Sequence, residues 1–334
     1  MLLSAVAIGC CPAARLLAGA RWPRRSPALA IALWQALGLG WGLATVGALA
    51  GFGAAGLDGA VAGGAEPGGA APGGAGPTGG PLAGVAATAA DQATRLVVGP
   101  DPMTSRPWDV LSGLRAASLT AGLILLAILC WVLAAAIAAV LRARHRQRAL
   151  LGLLAHGDPK VPGALVVDHP AAAAYCVPGL RSAIVISAGA LDLLDAAELA
   201  AVLAHERAHL RARHDLVLLP FTALLRAFRW SPIARDANRE VALLVEMLAD
   251  DRARRHRPAR ELATALLRVG VAGGGRAPSG ALAAAGTGVD GELAARVTRL
   301  LRPPPGLPVI AITILGAAAA LLVLAPATAL LLPL

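Results

Sequence analysis

Residues 201–215 read AVLAHERAHLRARHD, three histidines and five other ionisable side chains packed into a chain that is 57% hydrophobic and only 15% charged. On a helix, positions i and i+4 share a face, so His205 and His209 can direct two imidazoles at one metal ion. Zinc suits that pair, and Glu206, beside the first ligand, can take a proton from water whose pKa the ion has lowered. The competing reading is a solvated helix face. The rest of the chain decides between them.

Upstream of this stretch, Asp195 with Glu198 three residues on gives a capping-box start, and Leu199, Val202 and Leu203 form the stripe of a half-buried helix. The runs ALVVD (164–168) and SAIVISAG (182–189) are β-branched and bounded by Pro and Gly, which predicts two strands. Downstream, a second amphipathic helix is expected from about Asp236 to Arg255, with Val241, Leu244, Val245 and Leu248 on one face.

A catalytic zinc site takes a third protein ligand and keeps a fourth position open. Glu246 is the candidate, with Asp250 one turn later and small Ala249 leaving room for two helices to approach; Glu240 is the competing choice. His214 is left out of the metal shell, because a three-histidine site would continue with Gly at 212 and His at 215, where this chain has Ala212 and Asp215. Asp215 and Asp250 are read as carboxylates that orient ligand imidazoles. His156, His169 and His256 are read as surface or loop residues, and Arg235 or Arg239 as candidates for stabilising an oxyanion.

Outward from the site, the chain carries a membrane pattern. Ser26–Leu57, Ala116–Leu141 and the residues after Arg302 contain no charge, and each run exceeds the roughly 20 apolar residues that cross a bilayer. Met1–Ala14 is a fourth, weaker span interrupted by Pro12; the arginines follow rather than precede it, which argues against a signal peptide and places the N-terminus outside. The net charge of +10 comes largely from arginines beside these runs, Arg15–Arg25 and Arg142–Arg148. The positive-inside rule explains them, and with Trp22 the lone aromatic residue among them a direct nucleic-acid role is not expected.

The expected organisation is transmembrane helices 1 and 2 in residues 1–57 and an extracytoplasmic Gly/Pro/Ala-rich loop in 58–113. Transmembrane helix 3 follows in 114–141, a cytosolic zinc metalloprotease domain in 142–308, and transmembrane helix 4 in 309–334. Residues 58–84 cannot bury enough apolar surface to order themselves. A short basic helix is expected over 292–305, stopped by prolines. The charge density of the His205 helix would be costly in hydrocarbon, so the site is expected to face the cytosol. None of the four cysteines has metal-ligand spacing.

The stretch AYCVPGLRSAIVISAGALDLLDAAELAAVLAHERAHLRARHD followed by EMLADD resembles the gluzincin domain of membrane-bound zinc metallopeptidases over residues 164–256. The HtpX-like and CAAX-processing proteases and the BlaR/MecR-type signal-transducing peptidases share this core. The resemblance implies one zinc per chain held by His205, His209 and Glu246, with Glu206 as catalytic base. It also implies a substrate strand added beside residues 182–188. The layout of spans resembles the BlaR/MecR type, but the sequence stops after the last span, where the antibiotic sensors continue into a penicillin-binding domain.

The expected fold is therefore a mostly α-helical integral membrane protein with four transmembrane helices and a cytosolic α+β gluzincin-type domain carrying a small edge-exposed sheet. The expected activity is zinc-dependent cleavage of a cytoplasmic protein, in such families often a transcriptional repressor, at a bacterial cytoplasmic membrane. Rival readings are membrane-protein quality control of the HtpX kind and a non-catalytic membrane scaffold. Gly- and Ala-rich spans also permit a homodimer.

Overall fold

The computed structural model describes residues 1–54, 107–159, 161–179, 182–272 and 289–331; the loop read as unable to order, 58–84, lies outside them, as does most of the Gly-rich run 270–290. Leu2–Gly19 forms α1, a 3-10 turn covers Trp22–Arg25, and Pro27–Ala54 forms α2. Pro107–Leu154 is one unbroken helix of 48 residues, α3. It runs past the apolar stretch because the arginines after Leu141 and the Ala-Leu run after them favour helix as strongly as the span does.

Four strands follow: β1 (Ala155–Gly157), β2 (Ala164–Val167), β3 (Ala174–Val177) and β4 (Ala183–Ser187). Their order in the sheet is β1-β2-β4-β3, with β2 and β4 parallel and the outer pairs antiparallel. This corrects one expectation. Residues 182–188 do not present a free edge, because β3 folds back onto β4 and pairs Ala174–Val177 with Ile186–Ala183. β4 is the centre of the layer, with Val185 and Ile186 fully buried, and among the described residues the free edges belong to β1 and β3.

The helices after the sheet are α4 (Ala188–Leu193), α5 (Ala196–Ala212), α6 (His214–Ala227), α7 (Pro232–Ala253), α8 (Ala259–Ala272), α9 (Val289–Leu301) and α10 (Val309–Leu331). The capping box at the start of α5 is present in full. Asp195 accepts from Ala197 N–H and Glu198 N–H, while Glu198 accepts from Asp195 N–H. One side of α5 buries Leu199, Val202 and Leu203 against Val166, Ile184 and Ile186 of the sheet. The other side packs Ala201 against Leu262, Val297 and Leu300, which belong to α8 and α9. Each fully buried Leu or Ile contributes about 2 kcal/mol, so α5 is clamped from both sides and cannot slide without losing several such contacts.

Among the described residues, four helices are long and apolar enough to cross a membrane, the spans being Leu2–Gly19, Pro27–Ala54, Val110–Leu154 and Val309–Leu330. They leave large apolar side chains such as Trp131, Ile310 and Leu321 more than two-thirds exposed, which water would penalise and lipid would not. By contacts the chain divides into two units: residues 1–8, 40–129 and 324–334, and residues 9–39 and 130–323. In the first, α2 and α3 approach so closely that a Cβ at Gly53 would lie 2.5 Å from Leu119, and Ser118 donates to the Leu49 carbonyl at 2.9 Å. The second holds the sheet, α4–α9 and the site.

Candidate metal centre

The centre is built by α5 crossing α7. His205 and His209 point from α5 with their Nε2 atoms 3.1 Å apart. Glu246 of α7 places Oε2 3.3 Å from His205 Nε2 and Oε1 3.5 Å from His209 Nε2. One ligand atom from each of the three lies within 4.8 Å of the others. The crossing is close because Val245 and Ala249, beside Glu246 and Asp250 on α7, are fully buried and small.

The outer nitrogens of both imidazoles are held. His205 Nδ1 lies 2.9 Å from Oδ1 of Asp250, whose side chain is 1% exposed. His209 Nδ1 lies 3.0 Å from Nδ1 of His214, which is itself buried and has Arg252 Nη1 3.4 Å from its far nitrogen. His214 reaches this position because Arg213 adopts left-handed φ and ψ of 50° and 46°, ending α5 and starting α6 with no linker between them.

A buried arginine ties the acids together. Arg296 of α9 forms two hydrogen bonds to Asp250, at 2.9 and 2.8 Å, and sets Nη1 3.0 Å from Glu246 Oε2. Burial would raise the Asp250 carboxyl, but Arg296 and then His205 outweigh it and lower its pKa to about 2. Glu246 follows the same pattern: burial raises it, and Arg296 and His209 hold it well below the ordinary carboxylate range. Burial would likewise strip the proton from His205; the Asp250 and Glu246 carboxylates prevail and push its pKa up to about 10. His214, desolvated and facing His209 and Arg252, is lowered to about 3 and stays neutral.

Glu206, half-buried on α5, faces β3. Burial, and then the Glu206 carboxylate that its thiol meets, push Cys176 up to about 12, so the thiol remains a neutral donor beside Glu206.

Of the residues singled out from sequence, His205, His209, Glu246 and Asp250 come together and Glu206 lies beside them. Glu240 meets Arg239 at 3.7 Å instead of the histidines. Asp215 is held by Arg144 of α3 and lies 3.5 Å from Arg213; the contact to His209 is made by His214. His214, Arg252, Arg296 and Cys176 were not foreseen. Only His214 left a trace in the sequence, as a third histidine one turn beyond His209.

Two imidazole Nε2 atoms and one carboxylate, with a second carboxylate behind one imidazole, form a donor set that fits zinc. The charge agrees: once His205 gives up its proton to coordinate, Glu206, Glu246 and Asp250 bring three negative charges to the cluster, and Arg296, which touches two of them, brings one positive. A divalent cation balances the difference. No curated protein and no solved structure matches the chain. Residues 125–248, a little over a third of the chain, match the profile of Peptidase family M48, which supports reading the α3–α7 segment as a metallopeptidase similar to the members of that family.

Proposed function

We propose that the chain is a membrane-embedded zinc endopeptidase that cleaves a cytoplasmic protein, of the BlaR/MecR signalling type, with a transcriptional repressor as substrate. The observation that carries the reading is the convergence of His205, His209 and Glu246 with Glu206 one residue from the first ligand.

The metal would be held by His205 and His209 through Nε2 and by Glu246. When bound, zinc polarises the scissile carbonyl and lowers the pKa of water at its open position. The protein's own residues do the rest. Asp250 faces Nδ1 of His205 and neutral His214 faces Nδ1 of His209, so each outer nitrogen has a partner and both Nε2 atoms face inward. Glu206 takes the proton of the attacking water and delivers it to the departing amine. The Cys176 thiol, kept neutral by its burial and by the Glu206 carboxylate, sits beside that base. The substrate would add to the sheet beside β3, the free edge that packs against α5, in place of residues 182–188.

Glu206→Gln tests the mechanism: peptide cleavage falls by about a hundredfold to ten-thousandfold, while zinc content stays at one per chain. A variant that cleaves at the wild-type rate refutes it. The same inactive chain, used to trap substrates in cells, separates the roles. One dominant soluble regulator supports signalling, and many membrane proteins support quality control.

A further inference from the structure

On the face of α5 about 100° round from the metal ligands, Ala200, Ala204, Ala208 and Ala212 form a flat floor at i+4 spacing. Facing it is the end of α7 and the turn that follows. Between them runs a groove of about 330 Å³ that continues into a second of about 250 Å³; Ala204, Arg211 and His256 line both. Its remaining walls carry Arg207, Arg252, Arg255 and Arg257, and no carboxylate lines either part. Arg207, Arg211, Arg255 and Arg257 are exposed and form no ion pair among the described residues, whereas Arg239, Arg254, Arg268, Arg296 and Arg299 each have an acid partner.

So many unpaired guanidinium groups around a floor of methyls repel one another, and an anion relieves them. Two connections say where that anion comes from. At one end, Arg211 lies four residues before Asp215, across the left-handed Arg213 that separates α5 from α6, and Asp215 is held by Arg144, only three residues past the end of the apolar run of α3. That is about 5 Å of helix. At the other, Arg252 follows Asp251, which Arg299 grips at 2.7 Å through both amino groups while its Nε donates to the Arg24 carbonyl at 2.7 Å. Arg24 lies in the 3-10 turn three residues before α2, and Arg25 donates to the carbonyl of Pro305, four residues before α10. Both walls of the groove are thus pinned to residues that flank the ends of apolar helices.

We infer that this groove is a binding site for the phosphate of an anionic lipid headgroup, seated at the membrane surface against the flank of the helix that carries His205 and His209. The inference rests on the membrane-embedded reading above. Planar guanidinium groups match the oxygens of a phosphodiester, the alanine floor admits the glycerol end of the headgroup, and the acyl chains need no pocket because they stay in the bilayer. The site also lies close to the candidate ligands: Arg252 is 3.4 Å from His214, which meets His209. A headgroup that draws on Arg252 therefore acts on a residue that orients a ligand.

The test uses the full chain purified in neutral detergent, titrated with dioctanoyl phosphatidylglycerol, dioctanoyl phosphatidylcholine, inorganic phosphate or hexaglutamate, with binding read by thermophoresis. The expected result is saturable binding of the phosphatidylglycerol at least tenfold tighter than of the other three. Arg211→Gln with Arg255→Gln, both exposed, weakens it by about thirtyfold, at roughly fivefold per surface charge. Removing the same charge elsewhere, with Arg15→Gln and Arg21→Gln, leaves it within twofold. Equal binding of phosphatidylcholine or inorganic phosphate, tighter binding of hexaglutamate, or an equal loss in the Arg15/Arg21 variant overturns the site. A chain that stays soluble without detergent overturns the membrane reading and the site together.

Discussion

Zinc binding and protons are coupled at His205, and the coupling has a predictable size. Coordination needs the Nε2 lone pair while Asp250 keeps the hydrogen on Nδ1, so a proton must leave the imidazolium when the ion arrives. Burial favours losing that proton, yet Asp250 and Glu246 hold it until the pH approaches about 10. An ordinary histidine, titrating near 6.5, would have finished well before. In zinc-stripped protein, apparent zinc affinity therefore rises at least tenfold per pH unit between pH 7 and 9. That is at least a hundredfold over the range, or about 2.7 kcal/mol. The sign for stability is opposite. A folded-state pKa above the unfolded value stabilises the metal-free fold fully below about pH 6.5, and this stabilisation is lost as the pH climbs through about 10. Competition with a chromophoric chelator gives the affinity, and calorimetry in buffers of different ionisation enthalpy counts the protons released. Asp250→Asn removes one of the two carboxylates that hold the proton, so its proton count at pH 8 falls below that of wild type. Zinc affinity independent of pH, or an Asp250→Asn protein releasing as many protons as wild type, refutes the arrangement.

Replacing Arg296 by Gln leaves the Asp250 carboxylate, 1% exposed, facing only an imidazole, and a broken buried pair costs about 3–5 kcal/mol. The melting temperature of the metal-free protein should drop well beyond that of any exposed-arginine variant, and an unchanged melt would deny Arg296 this role. Asp195→Ala removes the two hydrogen bonds that cap α5, lowering stability by about 1 kcal/mol and the melting temperature by about 2–4 °C. Activity per folded molecule should survive it, and a collapse of activity without a thermal shift would contradict the assignment. At pH 8 only about one Cys176 thiol in ten thousand is ionised if its pKa is near 12, so iodoacetamide should leave it intact for hours in the native chain and modify it quickly in the denatured one. Peptide mapping by mass spectrometry reads the difference, and equal rates in both states would mean the thiol is not held as described.

Local signals carried much of this architecture. Asp195 and Glu198 announce the start of α5 because both halves of a capping box lie within one turn, and the spacing of His205, Glu206 and His209 is likewise contained in one helix. Glu246 was legible at a distance only because Asp250 repeats it one turn later on an amphipathic helix. The sheet was harder. β1 and β3 are three and four residues long, too short for a period to register, and their existence depends on partners elsewhere in the chain. Without β3, residues 182–188 look like an edge; with it, they become the centre. Asp215 could not be assigned from spacing because its partner, Arg144, comes from a helix that continues beyond the span. Arg296 reaches Asp250 across 46 positions, which no periodicity records.

What a short motif cannot specify is how the charges around it are tolerated. Asp250 is almost wholly buried, and a carboxylate so placed would be protonated or would unfold its surroundings unless cations meet it on more than one side. Two do, and each has a different origin. His205 comes from the same helix crossing and is satisfied locally. Arg296 comes from α9, which leads through Pro303–Pro305 into the apolar helix α10, and Arg299, one turn on, anchors the same helix to Asp251 and the Arg24 carbonyl. The acid that faces His205 therefore depends on a helix held at its far end by contacts beside the apolar helices. If α9 undocked, Asp250 would lose its stronger partner and Glu246 the nitrogen 3.0 Å from its Oε2, so the metal ligands would loosen together. That shared dependence ties the chemistry of residues 205–250 to chain on either side of it, and a fragment ending at α7 would retain the motif without the charge that keeps it in place.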